Sequence, residues 1–267
     1  ATQMAYLAAV PLVLAALLVG TVRPVPGNLV GYGPGSSAWK PEFGSFIYVG
    51  EGMNSSVAVS RLTNGVLNYH NAGKVQASSE PADLRLERML GHLTTLQVEN
   101  PESVLVIGCG AGVTAGAVSI DPQVKRLTVV EIEPLVPEAA QTYFASVNEG
   151  VVANPKTDVI IDDGRHYLMT SHEKFDAITL DPFDPWTKGA ASLSTRQFYE
   201  SAKAHLSPGG SMTVWVPLYQ TRAETVKSEI ATFMSVFPNA VIWDNVTSGG
   251  GDVVLSGRVG DSPIDLS

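Results

Sequence analysis

From residue 102 onward the chain repeats one pattern: an apolar run of about five residues with no polar alternation, then a stretch of helical spacing. The runs are SVLVIG, RLTVVE, TDVIID, DAITLD and GSMTVWV. A strand that is apolar on both faces is buried on both faces. The pattern therefore predicts a parallel sheet covered by helices on each side. Those helices are expected around 113–119, 134–147, 195–206 and 222–236. Two further runs, AVIWDN and DVVLSG, close the chain and bring the sheet to about seven strands.

The segment before this region reads differently. SFIYVG, SVAVSRL, VLNYHN and GKVQAS are short strand-like runs, and Asn64-Gly65 between two of them is a strong hairpin signal. They predict a small antiparallel unit at 45–80, followed by a helix in EPADLRLERMLGHLTTL. Residues 23–44 are rich in glycine and proline and read as a linker. Met4 to Val22 carries no charge and is long enough to cross a bilayer. Arg23 and Lys40 follow it, so the expectation is a membrane association with the following domain on the cytoplasmic side. The remaining bounds are 1–22 for the apolar segment, 81–258 for the large α/β domain and 259–267 for a tail.

The net charge of -9 argues against nucleic acid, whose phosphates need a basic face. The lone cysteine, Cys109, excludes an intrachain disulfide, and the five histidines show no metal-ligand spacing.

In a doubly wound sheet the ligand sits beyond the carboxyl ends of the strands, so the residues there decide the chemistry. The first strand ends in GCGAG, Gly108 to Gly112, whose alternating glycines allow a tight turn and close approach by a ligand. The second ends at Glu131, 23 positions beyond Gly108, where an acid can accept both hydroxyls of a ribose. Glu133, beside Pro134, fits the first turn of the next helix instead. The third ends in DDGRHYL, where Asp162 or Asp163 can accept from an adenine amino group or cap a short helix. The fourth ends in DPFDPW. Prolines 182 and 185 hold the loop extended and fix Asp181 and Asp184 at its mouth.

A glycine loop, a ribose acid, an adenine acid and a D-x-x-D-P loop, in that order, resemble the spermidine synthase family of aminopropyltransferases. The segments YVGEGMNSSVAV, GKVQAS, ERMLGH, DDGRHYL, DPFDPW and WVPLY are similar to spermidine-synthase-like domains fused to bacterial multi-span membrane proteins. The resemblance covers roughly residues 45–220. It implies a Rossmann-like sheet of the class I S-adenosylmethionine-dependent transferase type. It also implies a co-substrate, decarboxylated S-adenosylmethionine or S-adenosylmethionine itself, an amine acceptor, and self-association as a homodimer. The implied nucleoside-binding residues are Gln76, Gly108, Gly110, Gly112, Glu131, Asp163 and Gly164. Asp181 is the implied base, and Asp184 the acid that binds the amine.

The chain departs from that pattern at three places. Ala111 stands where the family's loop carries an acid for the donor's ammonium. Leu86 and Arg88 replace a tyrosine and a glutamate on the helix after the β unit. Three readings therefore remain open: aminopropyl-type transfer; methyl transfer or another cleavage of the sulfonium; and a nucleoside-sensing domain of a membrane transporter with little turnover.

Overall fold

The computed structural model describes residues 2–181, 187, 189–219, 221–244 and 251–260. Four strands, β1 (Gly44–Glu51), β2 (Ser56–Leu62), β3 (Leu67–Asn71) and β4 (Lys74–Ser78), form an antiparallel meander in sequence order. The Asn64-Gly65 turn joins β2 to β3. Gly65 takes φ 91°, and the Asn64 carboxamide oxygen accepts from the Val66 amide at 3.1 Å.

The long helix α3 (Pro81–Leu96) leads into a seven-stranded sheet. Its strands are β5 (Ser103–Ile107), β6 (Arg126–Glu131), β7 (Thr157–Ile161), β8 (Phe175–Leu180), β9 (Leu206–Pro217), β10 (Val241–Asp244) and β11 (Asp252–Arg258). The spatial order is β10-β11-β9-β8-β5-β6-β7. Pairings among β7, β6, β5, β8 and β9 are parallel, whereas β11 runs antiparallel to both its neighbours. The sheet is thus mixed rather than all-parallel. A parallel pairing needs a crossover of about a dozen residues or more, and the chain from Asp244 to Asp252 is shorter than that, so β11 returns in the opposite sense.

The helices flanking the sheet are α4 (Val113–Ser119), α5 (Leu135–Tyr143), α6 (Gly164–Thr170), α7 (Arg196–His205) and α8 (Ala223–Val236). Val104 and Val106 of β5 pack into one apolar cluster and Leu105 and Ile107 into the other. Each side chain leaves its strand on the face opposite its neighbour's, and both faces are dry. The first cluster also takes in Val57, Val59 and Tyr69, so the small meander shares a core with the large sheet. Helix α5 stops at Tyr143, short of the expected 147. Asn148 donates its amide to the Ala140 carbonyl at 3.2 Å, and its main-chain N–H reaches back to Phe144.

The region before β1 is not a bare linker. Helix α2 (Gly27–Tyr32) and two 3-10 turns at 33–38 and 41–43 lie against the meander. Tyr32, Trp39 and Phe43 gather there around Phe46 and His70. His70 is buried between the Ser60 hydroxyl at 2.8 Å and the Gly31 carbonyl at 3.1 Å, and burial lowers its pKa to about 4.

The N-terminal expectation requires correction. Helix α1 (Thr2–Val19) has 18 residues with Pro11 inside it, whereas a bilayer core takes about 20 apolar residues. No helix among the described residues is long and apolar enough to cross a membrane. The membrane association expected from Met4–Val22 is overturned, and the cytoplasmic sidedness read from Arg23 and Lys40 loses its basis with it.

Candidate active site

Strand order reverses between β5 and β8. The chain builds outward from β5 through β6 to β7, then returns to place β8 on β5's other side. A crevice opens at the carboxyl ends of these strands. Here a cavity of about 1130 Å³ lies between the large sheet and the meander. Gln76, Gly108, Gly110, Glu131, Asp162, Asp163, Gly164 and Asp181 all line it. Gly112 does not; it packs behind the loop against the Asn148 carboxamide, which a Cβ would approach to 2.9 Å. Asp184 and Trp186 lie outside the described residues.

The glycine loop follows directly from β5. Gly110 has φ 51°, and nothing lies within 4 Å of where its Cβ would stand, so its backbone is bare to the cavity. The loop is anchored from behind, where Asn148 donates to the Ala111 carbonyl at 2.9 Å.

Glu131 ends β6 almost fully buried. One carboxylate oxygen accepts from the Cys109 amide at 2.9 Å, the other from the Glu133 amide at 3.0 Å. Burial raises its pKa, and these main-chain donors oppose the rise. The acid is therefore aimed by the glycine loop itself. Cys109, within that loop, is buried, and burial followed by the Glu131 and Asp181 charges pushes its thiol well up, away from a reactive thiolate.

Glu133 has a different task. It accepts from the Leu135 amide at 3.2 Å at the start of α5, and from the amides of Asn54 at 2.9 Å and Ser55 at 3.2 Å in the β1–β2 turn. Gly52 allows this approach, since a Cβ there would meet the carboxylate at 2.3 Å. Glu133 thus ties one wall of the cavity to the large sheet.

After β7, Asp163 caps α6, with Oδ1 accepting from the amides of Arg165 at 2.7 Å and His166 at 3.2 Å. Asp162 meets the His166 ring at 2.9 Å. Of the two roles weighed for this pair of acids, the helix cap is the one Asp163 performs, and it also lines the cavity. Gly164 fits where a Cβ would strike Ile107 Cγ2 at 2.4 Å.

Asp181 follows β8. Its amide donates to the Ile107 carbonyl at 3.0 Å, and its Oδ2 accepts from the Thr114 hydroxyl at 2.7 Å. Burial lifts its pKa to about 6, with the Thr114 bond acting the other way.

One site residue was missed in the sequence. Glu87 of α3 lines the cavity, whereas Leu86 and Arg88, the positions matched to the family's tyrosine and glutamate, do not. Arg88 turns away and donates to the Val147 carbonyl at 3.3 Å. Burial, then the Asp181 charge, pushes the Glu87 carboxyl well above the usual range. A helical phase of 100° per residue separates 86, 87 and 88, and only the packing of α3 on α4 selects the middle one. Tyr69 and Asn71 also line the cavity from β3. The Tyr69 hydroxyl accepts from Asn71 at 3.0 Å, and Gln76 donates to the Asn71 carbonyl at 3.3 Å.

Five carboxylates, Glu87, Glu131, Asp162, Asp163 and Asp181, therefore face the cavity with one described cation, Lys74. Such a cavity favours a cationic ligand.

The Spermine/spermidine synthase domain family matches residues 84–243. The chain belongs to this family. It is 31% identical over 208 residues to a polyamine aminopropyltransferase of Saccharolobus solfataricus, covering 72% of this chain and 68% of that one. It is 33% identical over 142 residues to the enzyme of the same name from Sulfurisphaera tokodaii, covering 53% and 47%. It is 38% identical over 141 residues to polyamine aminopropyltransferase 2 of Hyperthermus butylicus, covering 52% and 46%. The chain thus spans about half the length of these last two relatives. In fold it is similar to a spermidine synthase solved in complex with the transition state analogue AdoDATO, with a TM-score of 0.74 at 24% identity, over 82% of this chain and 75% of that one. It is also similar to the spermidine synthase of Thermotoga maritima, with a TM-score of 0.71 at 22% identity, over 82% and 74%.

Proposed function

We propose that this chain is an aminopropyltransferase that moves a three-carbon amine chain from decarboxylated S-adenosylmethionine to an amine acceptor. The observation that carries this reading is the shared cavity: Glu131 and Asp181 open into one space together with the bare backbone of the glycine loop.

The nucleoside lies over Gly108 and Gly110, with its ribose hydroxyls on Glu131, its adenine beside Asp162 and Asp163, and Gln76 reaching from the meander. Gly112 and Gly164 act through shape, the first by seating the loop on Asn148 and the second by letting α6 meet β5. The acceptor nitrogen attacks the methylene next to the sulfonium. The carbon–sulfur bond breaks, its electron pair stays on sulfur, and methylthioadenosine leaves. The proton lost by the amine goes to Asp181. An alkylammonium has a pKa of about 10, so transfer to a carboxylate is uphill. Raising Asp181 from 3.8 to about 6 lessens that climb by ~3 kcal/mol. Asp184, three residues on, is assigned the acceptor's far ammonium.

Methyl transfer rested on Ala111 leaving the loop without an acid; Glu87 supplies the cavity with another. Incubation with decarboxylated S-adenosylmethionine and a panel of amines, with products identified by mass, tests the assignment. Methylthioadenosine and an amine heavier by one aminopropyl group are expected from the natural chain and neither from Asp181→Asn. S-adenosylhomocysteine from ordinary S-adenosylmethionine, or turnover that survives Asp181→Asn, would overturn it.

A further inference from the structure

We propose that Glu87, placed beside Asp181 at the junction of α3 and α4, holds the ammonium at the end of the donor's chain and so sets the choice of donor. The inference rests on the nucleoside reading of the cavity.

Helix α3 is drawn onto α4 by Gly91, where a Cβ would lie 2.5 Å from the Thr114 carbonyl. The Thr114 hydroxyl stands 2.7 Å from Asp181 Oδ2 and 3.3 Å from the Glu87 carbonyl. Thr114, three residues beyond Ala111, thus gives its one hydroxyl proton to Asp181 while lying against the α3 backbone at Glu87. The neighbouring charges are already engaged: Asp83 accepts from the Ser78 hydroxyl, and Arg88 donates to the Val147 carbonyl. The Glu87 carboxylate has no hydrogen-bond or ion-pair partner among the described residues, yet it borders the cavity. The Glu87 carboxyl opens onto the cavity, where desolvation and the Asp181 charge favour its protonated form; a cation supplied by the ligand restores the ionised form and pairs with it. A ligand carboxylate brought to the same place would meet two acids and no cation, and its charge would push both of their pKa values higher still. A tail ending in an ammonium alone fits; a tail bearing both ammonium and carboxylate does not. Glu87 thus takes up, from a helix, the work that an acid at position 111 would do from the loop.

Calorimetric titration of the natural chain, Glu87→Gln and Glu87→Asp with three ligands tests this. The ligands are methylthioadenosine, decarboxylated S-adenosylmethionine and S-adenosylmethionine. The natural chain should prefer the decarboxylated ligand over S-adenosylmethionine by roughly tenfold or more, the worth of one charge-assisted hydrogen bond. Glu87→Gln should lose most of that preference, Glu87→Asp should keep part of it, and methylthioadenosine should bind all three alike. If methylthioadenosine binds but the preference is absent, or is unchanged in Glu87→Gln, the role of Glu87 is refuted. If methylthioadenosine binds none of the three, the nucleoside reading itself fails and this inference falls with it.

Discussion

Replacing Asp181 by asparagine should stabilise the fold at alkaline pH while abolishing transfer. Burial raises the Asp181 pKa from 3.8 to about 6, so the folded state holds this proton more tightly than the unfolded chain does. Stability then falls as pH rises from about 4 through 6, and the deficit persists above that window. The full shift corresponds to ~3 kcal/mol. Water entering the cavity screens part of the charge, which leaves ~1–3 kcal/mol. Asparagine removes the charge and keeps an amide oxygen to accept from the Thr114 hydroxyl. Thermal unfolding followed by circular dichroism at pH 8 should show the variant melting higher by roughly 3–10 °C, at about 2–4 °C per kcal/mol for a chain of this size. At pH 4 the two proteins should melt nearly together. A variant equally or less stable at pH 8, or one with the same gain at both pH values, would refute the buried-charge argument.

Glu133→Ala removes the acceptor that holds the β1–β2 turn to the large sheet. It should lower stability by about 2 kcal/mol and speed amide exchange at Asn54 and Ser55, read by mass spectrometry; unchanged exchange there would contradict the clamp. Gly91→Ala puts a methyl 2.5 Å from the Thr114 carbonyl and 2.7 Å from Ala117 Cβ. It should cost ~1–3 kcal/mol in urea unfolding by prying α3 from α4; a neutral result would mean the two helices part freely.

The apolar runs made the sheet legible because a strand buried on both faces leaves no other pattern, and the hairpin at Asn64-Gly65 followed from turn chemistry. The antiparallel entry of β11 was not legible, because strand direction depends on how the chain returns and not on which residues the strand carries. Acids at strand ends could be read from position alone, which is why Glu131, Asp162, Asp163 and Asp181 were found. Glu87 was hidden because it stands inside a helix, between two positions at which the chain departs from the family's pattern. Its direction is set by the contact of Gly91 with Thr114, a tertiary fact. Glu133 looked like a helix-start acid and is one, but its second bond, to a turn about eighty residues earlier, had no local signal. The segment 23–44 read as a linker on its glycines and prolines; Gly27 and Gly31 instead let α2 come down on Phe46.

The proposed function requires one cavity to seat a nucleoside on Glu131 with its sulfur turned toward Asp181. A crystal structure of the chain soaked with methylthioadenosine tests it most directly. Both ribose hydroxyls should lie within hydrogen-bond distance of Glu131, with the thioether on the Asp181 side of the glycine loop. Methylthioadenosine bound elsewhere, or bound here with its ribose away from Glu131, would contradict it.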